Sequence, residues 1–203
     1  MTGYIENSNM REICYILDLP GEGLKIRVRI IGGCGSGKTY IARKLAQSYG
    51  IPCYETDNFV WDRRDNTKNS PEVRDAKLAE AMDAESWIIE GVHYKWGTES
   101  FRQADLIFLI QPKAYVQDAR VIRRFMKTRL GLEQGNYKQS FKYLRIMLLE
   151  WNRSFRREGI PAIMALTEEY QAKRIIVQQN REILQHVGRY VQVCAGEECA
   201  GNE

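Results

Sequence analysis

The sequence is poor in the features that would place it in a membrane or a secreted scaffold. Its first stretch, MTGYIENSNMREICYILDLPGEG, carries acids early and no sustained apolar run, which argues against a signal peptide or a membrane span. Cysteine is sparse and irregular. Cys14, Cys34, Cys53, Cys194 and Cys199 are odd in number, with no repeated close spacing of the kind a zinc site or disulfide framework needs. Reduced thiols and a cytoplasmic location are the simpler expectation. No internal repeat, low-complexity tract or recognised nucleic-acid module is visible. With 203 residues and 44% hydrophobic content, one sizeable core is affordable. The expected organisation is a single domain over 25–193, preceded by an extension (1–24) without an assigned role and followed by a disordered tail (194–203).

What the chain does have is charge concentrated in one place. Lys113 to Arg157 holds 12 Lys/Arg and 3 Asp/Glu, a balance of +9, against 18 and 23, or −5, elsewhere. Such a block suits a solvated helical face, a nucleic-acid stripe or a clamp on a polyphosphate.

Strand-like and helix-like segments alternate. KIRVRII (Lys25 to Ile31) reads as a β-strand, followed by a glycine turn and a helical pattern from Lys38 to about Tyr49. Ile51 to Tyr54 is a second short strand, and Ser70-Pro71-Glu72 opens a helix reaching about Ala84. Trp87 to Ile89, Leu106 to Ile110 and Arg174 to Val177 are further strands, the last followed by a helix from about Asn180 to His186. Apolar strands separated by helices predict an α/β fold with a parallel sheet of five strands covered on both faces, that is, three α/β/α layers.

GGCGSGKT meets the phosphate-loop pattern Gly32-x4-Gly37-Lys38-Thr39, and it lies between a strand and a helix, the context that gives the motif its meaning. Backbone N–H groups across Gly32, Gly33, Cys34, Gly35, Ser36 and Gly37 can turn onto phosphate oxygens, and the helix N-terminus at Lys38, Thr39 and Tyr40 adds partial positive charge. Lys38 is expected on the β- and γ-phosphates of ATP and Thr39 on Mg²⁺. Cys34 sits inside this loop, where a thiolate is favoured.

Ligands of open α/β sheets lie beyond the carboxyl ends of the strands. The tips of strands two and three deliver Glu55, Asp57 and Glu90 to that edge. Glu90 is a candidate for holding an Mg²⁺-bound water, and Asp57 or Glu55 for orienting or deprotonating an acceptor hydroxyl. Asp105 precedes its strand, at the opposite edge, and reads as structural.

In the helix expected from about Ala114 to Leu130, Arg120, Arg124 and Lys127 share one face. The next helix, from about Lys138, aligns Phe141, Leu144, Leu148, Trp151 and Phe155 as an apolar stripe, with Arg153, Arg156 and Arg157 off it. Two arginine groups joined by the turn Gly131 to Gly135 suggest an arginine-rich lid over about 125–157 that closes on a polyphosphate, with Arg153 toward the acceptor and Arg157 toward the transferred group.

GGCGSGKT, YETDNFVW, SWIIEGVHY, DARVIRRF and LLEWNRSFRREGIP, in that order, resemble the nucleoside-monophosphate kinase and shikimate kinase group of P-loop proteins. More closely, the chain resembles the adenylate-kinase-related family labelled DNA topology modulation proteins, over about Lys25 to Val187. The resemblance implies Arg120 against adenine, Arg124 on the phosphates and the turn at Gln178, Gln179 and Asn180 near the base. Where adenylate kinases continue their strand-three acid with Gly-Phe-Pro-Arg, this chain has Gly91-Val92-His93-Tyr94, so the arginine that grips an AMP phosphate has no counterpart.

His93 lies on the acceptor side and is a candidate substrate contact; His186, near an expected helix end, suits a capping role. Tyr54, Phe59, Trp61, Tyr94 and Trp96 either wall a ring-binding site or simply pack. The reading that follows is an ATP- and Mg²⁺-dependent kinase of an unidentified small molecule, nucleoside-like or a hydroxylated metabolite. A nucleotide-dependent regulator or nucleic-acid binder is the alternative from another class.

Overall fold

The computed structural model describes residues 25–132 and 140–200, with side chains described as far as Cys194. The extension at 1–24 and most of the turn after Gly131 lie outside the described residues. Strand β1 (Arg27–Gly32) leads through the glycine loop into helix α1 (Lys38–Tyr49). Strand β2 (Cys53–Glu55) is followed by the short helix α2 (Thr56–Val60) and a small hairpin of β3 (Trp61–Asp62) and β4 (Thr67–Lys68). Helix α3 (Pro71–Met82), strand β5 (Trp87–Gly91), helix α4 (Glu99–Gln103), strand β6 (Leu106–Ile110) and helix α5 (Ala114–Arg129) come next. A helical run over 141–166 then returns the chain to strand β7 (Arg174–Val177) and a final helix, α6 (Asn180–Ala200).

Five strands form one sheet in the order β2-β5-β1-β6-β7, every neighbouring pair parallel. The strands run nearly unbroken in apolar residues because both faces are covered. On one face Ile26, Val28, Ile30, Ile88 and Phe108 pack with Ile41 and Leu45 of α1 and Ile183, Val187 and Val191 of α6. On the other, Ile31, Ile89, Ile107 and Leu109 pack with Leu78 and Met82 of α3, Phe101 of α4, and Phe155 and Ile163 of the helical run. The architecture is therefore the three-layer α/β/α sandwich that the alternation of elements predicts.

Local chemistry accounts for the boundaries. The Ser70 hydroxyl accepts from the Val73 amide at 3.4 Å, capping α3 with proline at its first turn. Asp105 accepts the Arg27 amide at 2.7 Å, bridging β1 and the entry to β6 at the edge away from the glycine loop, a structural role.

Three expectations change. Helix α6 does not stop near His186 but continues to Ala200, so the stretch from 194 is helical rather than disordered, and residues 201–203 lie outside the described residues. His186 therefore lies within the helix, its ring 6.2 Å from that of Phe108, and caps nothing. The run over 141–166 contains π-turns at Met147–Trp151 and Phe155–Gly159. Their wider i→i+5 bonding shifts the buried face to Met147, Asn152, Phe155, Gly159 and Ile163, while Phe141 and Trp151 of the expected stripe are exposed. Periodicity at 3.6 residues cannot anticipate this.

Gly91 ends β5 where Thr56 of α2 crosses it; a β-carbon there would stand 1.7 Å from the Thr56 hydroxyl oxygen. Gly91→Ala is expected to destabilise the fold by about 1–3 kcal/mol, read as a lower Tm. Adding Thr56→Ala should recover part of that loss, and equal Tm values for the single and double variants would contradict this packing.

Candidate functional site

The loop between β1 and α1 opens onto a cavity of about 1120 Å³ along the carboxyl edge of the sheet. Gly33, Cys34, Gly35, Gly37, Lys38, Thr39 and Tyr40 line its floor. Gly37 has φ +90, a conformation that favours glycine, and a β-carbon there would lie 2.4 Å from the Asn180 amide nitrogen. That closeness explains Asn180: its Nδ2 donates to the Gly37 carbonyl at 3.1 Å, so the residue braces the loop from α6 and is not part of the cavity lining. Ser36 is wholly buried beneath the loop, and Gly32 ends β1 beside Ile110.

Helix α5 supports the loop from the side. Arg120 donates to the Ser36 carbonyl at 3.0 Å, and Arg124 approaches the Cys34 sulfur at 3.4 Å; both arginines line the cavity. The Cys34 sulfur is also 3.7 Å from that of Met147. Gln117 was not expected to matter, yet its Nε2 donates to the Cys34 carbonyl at 2.8 Å and to the buried Asn152 at 3.1 Å. Its Oε1 accepts from Arg156 at 3.2 Å. Nothing in a one-dimensional pattern marks Gln117 or Asn152, because each acts only through the crossing of α5 with the helical run.

Arg153 and Arg157 are exposed on that run and do not line the cavity, which receives Trp151 and Phe155 from the same segment. The π-turns explain the difference. They rotate Met147, Asn152 and Phe155 inward and leave the two arginines on the outer side.

The acids meet where expected. Thr39 Oγ1 donates to Glu90 Oε1 at 2.6 Å, joining the start of α1 to the end of β5. Glu90 is 2% exposed, and its Oε2 is buried without a hydrogen-bond partner among the described residues. Burial pushes its carboxyl above the usual carboxylate range, against the opposing pull of Lys38 and the Thr39 hydrogen bond. A hydroxyl and a half-satisfied carboxylate side by side form the hard oxygen set that suits Mg²⁺. Glu55 also lines the cavity, but its Oε1 is taken by Arg43 of α1 at 2.7 Å, so it serves the wall.

Asp57 and His93 line the same cavity. His93 Nδ1 is 2.9 Å from the Thr56 hydroxyl and 3.7 Å from Asp57 Oδ1, and its ring lies 5.2 Å from that of Trp96. Burial holds its pKa below that of a free imidazole; Asp57 opposes this, while Arg29, Lys38 and Arg74 reinforce it. Of the five aromatic residues expected to wall a ring-binding site, Trp61 lines the cavity. Phe59 is buried, and Tyr54, Tyr94 and Trp96 pack against the same core.

No protein-family model and no curated protein matches the chain. Among solved structures, it is similar to a shikimate kinase from Acinetobacter baumannii in complex with shikimate, at 16% identity and a TM-score of 0.51, over 83% of this chain and 93% of that one. It is also similar to a shikimate kinase from Bacteroides thetaiotaomicron, at 16% identity and a TM-score of 0.50, over 82% and 98%. A gluconokinase from Sinorhizobium meliloti 1021 aligns over 89% and 99%, at 16% identity and a TM-score of 0.45. At 16% identity the likeness to the two shikimate kinases is one of fold alone.

The raised Glu90 pKa fixes a sign. Below the ordinary glutamate value of 4.5, both folded and unfolded chains hold the proton; as pH rises, the unfolded chain loses it first, so Glu90 increasingly opposes folding. Glu90→Gln should therefore raise the Tm of the nucleotide-free protein at pH 7 to 8, with the gain shrinking toward pH 4.5. A gain independent of pH would contradict this environment for Glu90.

Proposed function

We propose that the chain is a P-loop phosphotransferase, related to the adenylate-kinase-like group, that moves the γ-phosphate of ATP to a hydroxyl of a small molecule. The observation that carries this reading is that one cavity is lined by Lys38, Thr39, Arg120 and Arg124, by Glu90, and by Asp57 and His93; the reading assigns the first four to the nucleotide and the last two to the acceptor end. Phosphoryl transfer asks little covalent chemistry of a protein. Positioning and electrostatic stabilisation supply most of the rate.

In this reading the loop amides and Lys38 hold the triphosphate, and Arg124 balances charge on the transferred group. Arg120 secures the loop through the Ser36 carbonyl and faces the nucleotide. Mg²⁺ would be held by Thr39 and Glu90, and it supplies charge neutralisation at the phosphate oxygens. Asp57 orients the acceptor hydroxyl and takes its proton, and His93 forms the adjoining wall. The acceptor is a hydroxylated metabolite or a nucleoside-like compound. A cytoplasmic setting, where ATP is at hand, fits this chemistry.

The exposed position of Arg153 and Arg157 favours one second reading, in which the outer face of the helical run meets an external polyanion such as nucleic acid. The two readings separate in one experiment. ADP release from ATP and Mg²⁺ is measured with pools of nucleosides, nucleoside monophosphates and small hydroxylated metabolites.

One pool should raise turnover well above the water-only rate, and Lys38→Ala should lower that rate by about 10²-fold or more at unchanged Tm. Asp57→Asn should lower kcat while leaving the KM for ATP near its parent value. ATP binding with no stimulation by any pool, or a Lys38→Ala variant with parental turnover, would overturn the kinase reading. Duplex affinity that falls steeply with salt and is lost when Arg153, Arg156 and Arg157 become alanine would support the second.

A further inference from the structure

Arg29 is the residue of β1 that a strand covered on both faces does not call for. Its register partners are Ile89 on β5 and Ile107 on β6, and its guanidinium lies 4.9 Å from the centre of the Phe101 ring. Only 1% of the residue is exposed. Sealed among apolar side chains, an arginine is costly unless its donors are met and its charge is balanced. Burial brings this one down to about 10, against the opposing pull of Glu90.

Its donors go to backbone carbonyls. Nη1 donates to Ile30 at 2.9 Å and Ile89 at 3.2 Å, and Nη2 donates to His93 at 2.8 Å. Nε is buried without a partner among the described residues. The carbonyls of Ile89 and His93 bracket the segment on which β5 ends and the chain leaves the sheet. One guanidinium therefore ties both ends of 89–93. Glu90 and His93, two side chains of the cavity, belong to that tied segment.

We propose that Arg29 is a positioning residue for the acceptor end of the cavity, its guanidinium fixing segment 89–93 so that His93 rests against Thr56 and Asp57. It does this from within the core, without touching substrate. An apolar residue would fill the same space but could not hold the His93 carbonyl. A lysine would keep the charge but lose the planar fork that reaches two strands and a loop at once. The charged groups that act on the His93 ring are Asp57 from α2, Arg29 from β1, Lys38 from α1 and Arg74 from α3. The inference rests on the kinase reading only for what the acceptor end is used for, and the position of His93 can be tested without nucleotide or acceptor.

The chain has two histidines, so His186→Gln leaves His93 as the sole imidazole in an NMR titration of the full chain. On that background Arg29→Met and Arg29→Lys are compared with the parent. In both, amides of 91–94 should exchange at least about tenfold faster, while those of β1 and β6 keep their protection. In Arg29→Met the His93 ring should titrate at higher pH, because a positive charge that disfavours imidazolium is gone. In Arg29→Lys it should stay close to the parent. Once an acceptor is in hand, its KM should rise and the KM for ATP should not.

A folded variant with parental exchange at 91–94 and an unchanged His93 titration overturns the proposal. So does exchange raised uniformly across the sheet, the mark of a merely structural role. If Arg29→Met does not fold, Arg29→Lys decides through exchange. Should no acceptor stimulate ADP release while 91–94 still loosens selectively, the kinase reading fails and the positioning role stands.

Discussion

Parallel pairing of β1 with β5, which sets Ile30 opposite Glu90 and Ile31 opposite Gly91, is the constraint on which the site depends. Parallel strands end on the same side of a sheet, so the glycine loop leaving β1 and the segment leaving β5 emerge together. Strand β2, on the other flank of β5, sets Glu55 opposite Glu90 and brings Thr56 and Asp57 to the same edge. A slip of one residue would turn Glu90 to the opposite face of the sheet and remove the partner of Thr39. The absence of a side chain at Gly91 then lets Thr56 cross β5 closely enough to meet His93.

The polar groups at this edge sit under opposing influences. Burial raises Glu90 and lowers His93, and Lys38 counters the first while reinforcing the second. Buried polar groups are ordinarily paired. Here Arg29 Nε, Ser36 Oγ, Trp87 Nε1, Glu90 Oε2 and Asn180 Oδ1 have no hydrogen-bond partner among the described residues, and of these residues Glu90 lines the cavity. An unused carboxylate oxygen at the cavity wall is what a site that takes up a polar ligand requires.

The helical run over 141–166 shows how far a charge pattern can mislead. Its arginines suggest a clamp, whereas its contribution to the cavity is Trp151 and Phe155, and its tie to the loop passes through Asn152 and Gln117 to the Cys34 carbonyl. Two π-turns decide which residues face inward, and they arise where the run packs on α5 and the sheet. The arginines of the basic segment that do line the cavity, Arg120 and Arg124, lie on the regular helix α5, where spacings of four residues translate directly into a shared face.

The sequence by itself determined the five strands of the parallel sheet, though not the small β3–β4 hairpin, together with the glycine loop and the edge at which the acids gather. Each of these rests on short-range rules: apolar runs with turn residues between them, glycine where the backbone must approach a ligand, and strand ends that share a direction. Only the tertiary structure decided that Asn180 braces Gly37, that Glu55 belongs to Arg43, that Arg153 and Arg157 stay outside, and that Arg29 reaches the His93 carbonyl. Those contacts join residues 12 to 143 positions apart, or depend on which way a helix is turned. Local pattern carries no information about either, because the energy that selects them comes from packing and from satisfying buried polar groups after the elements have met.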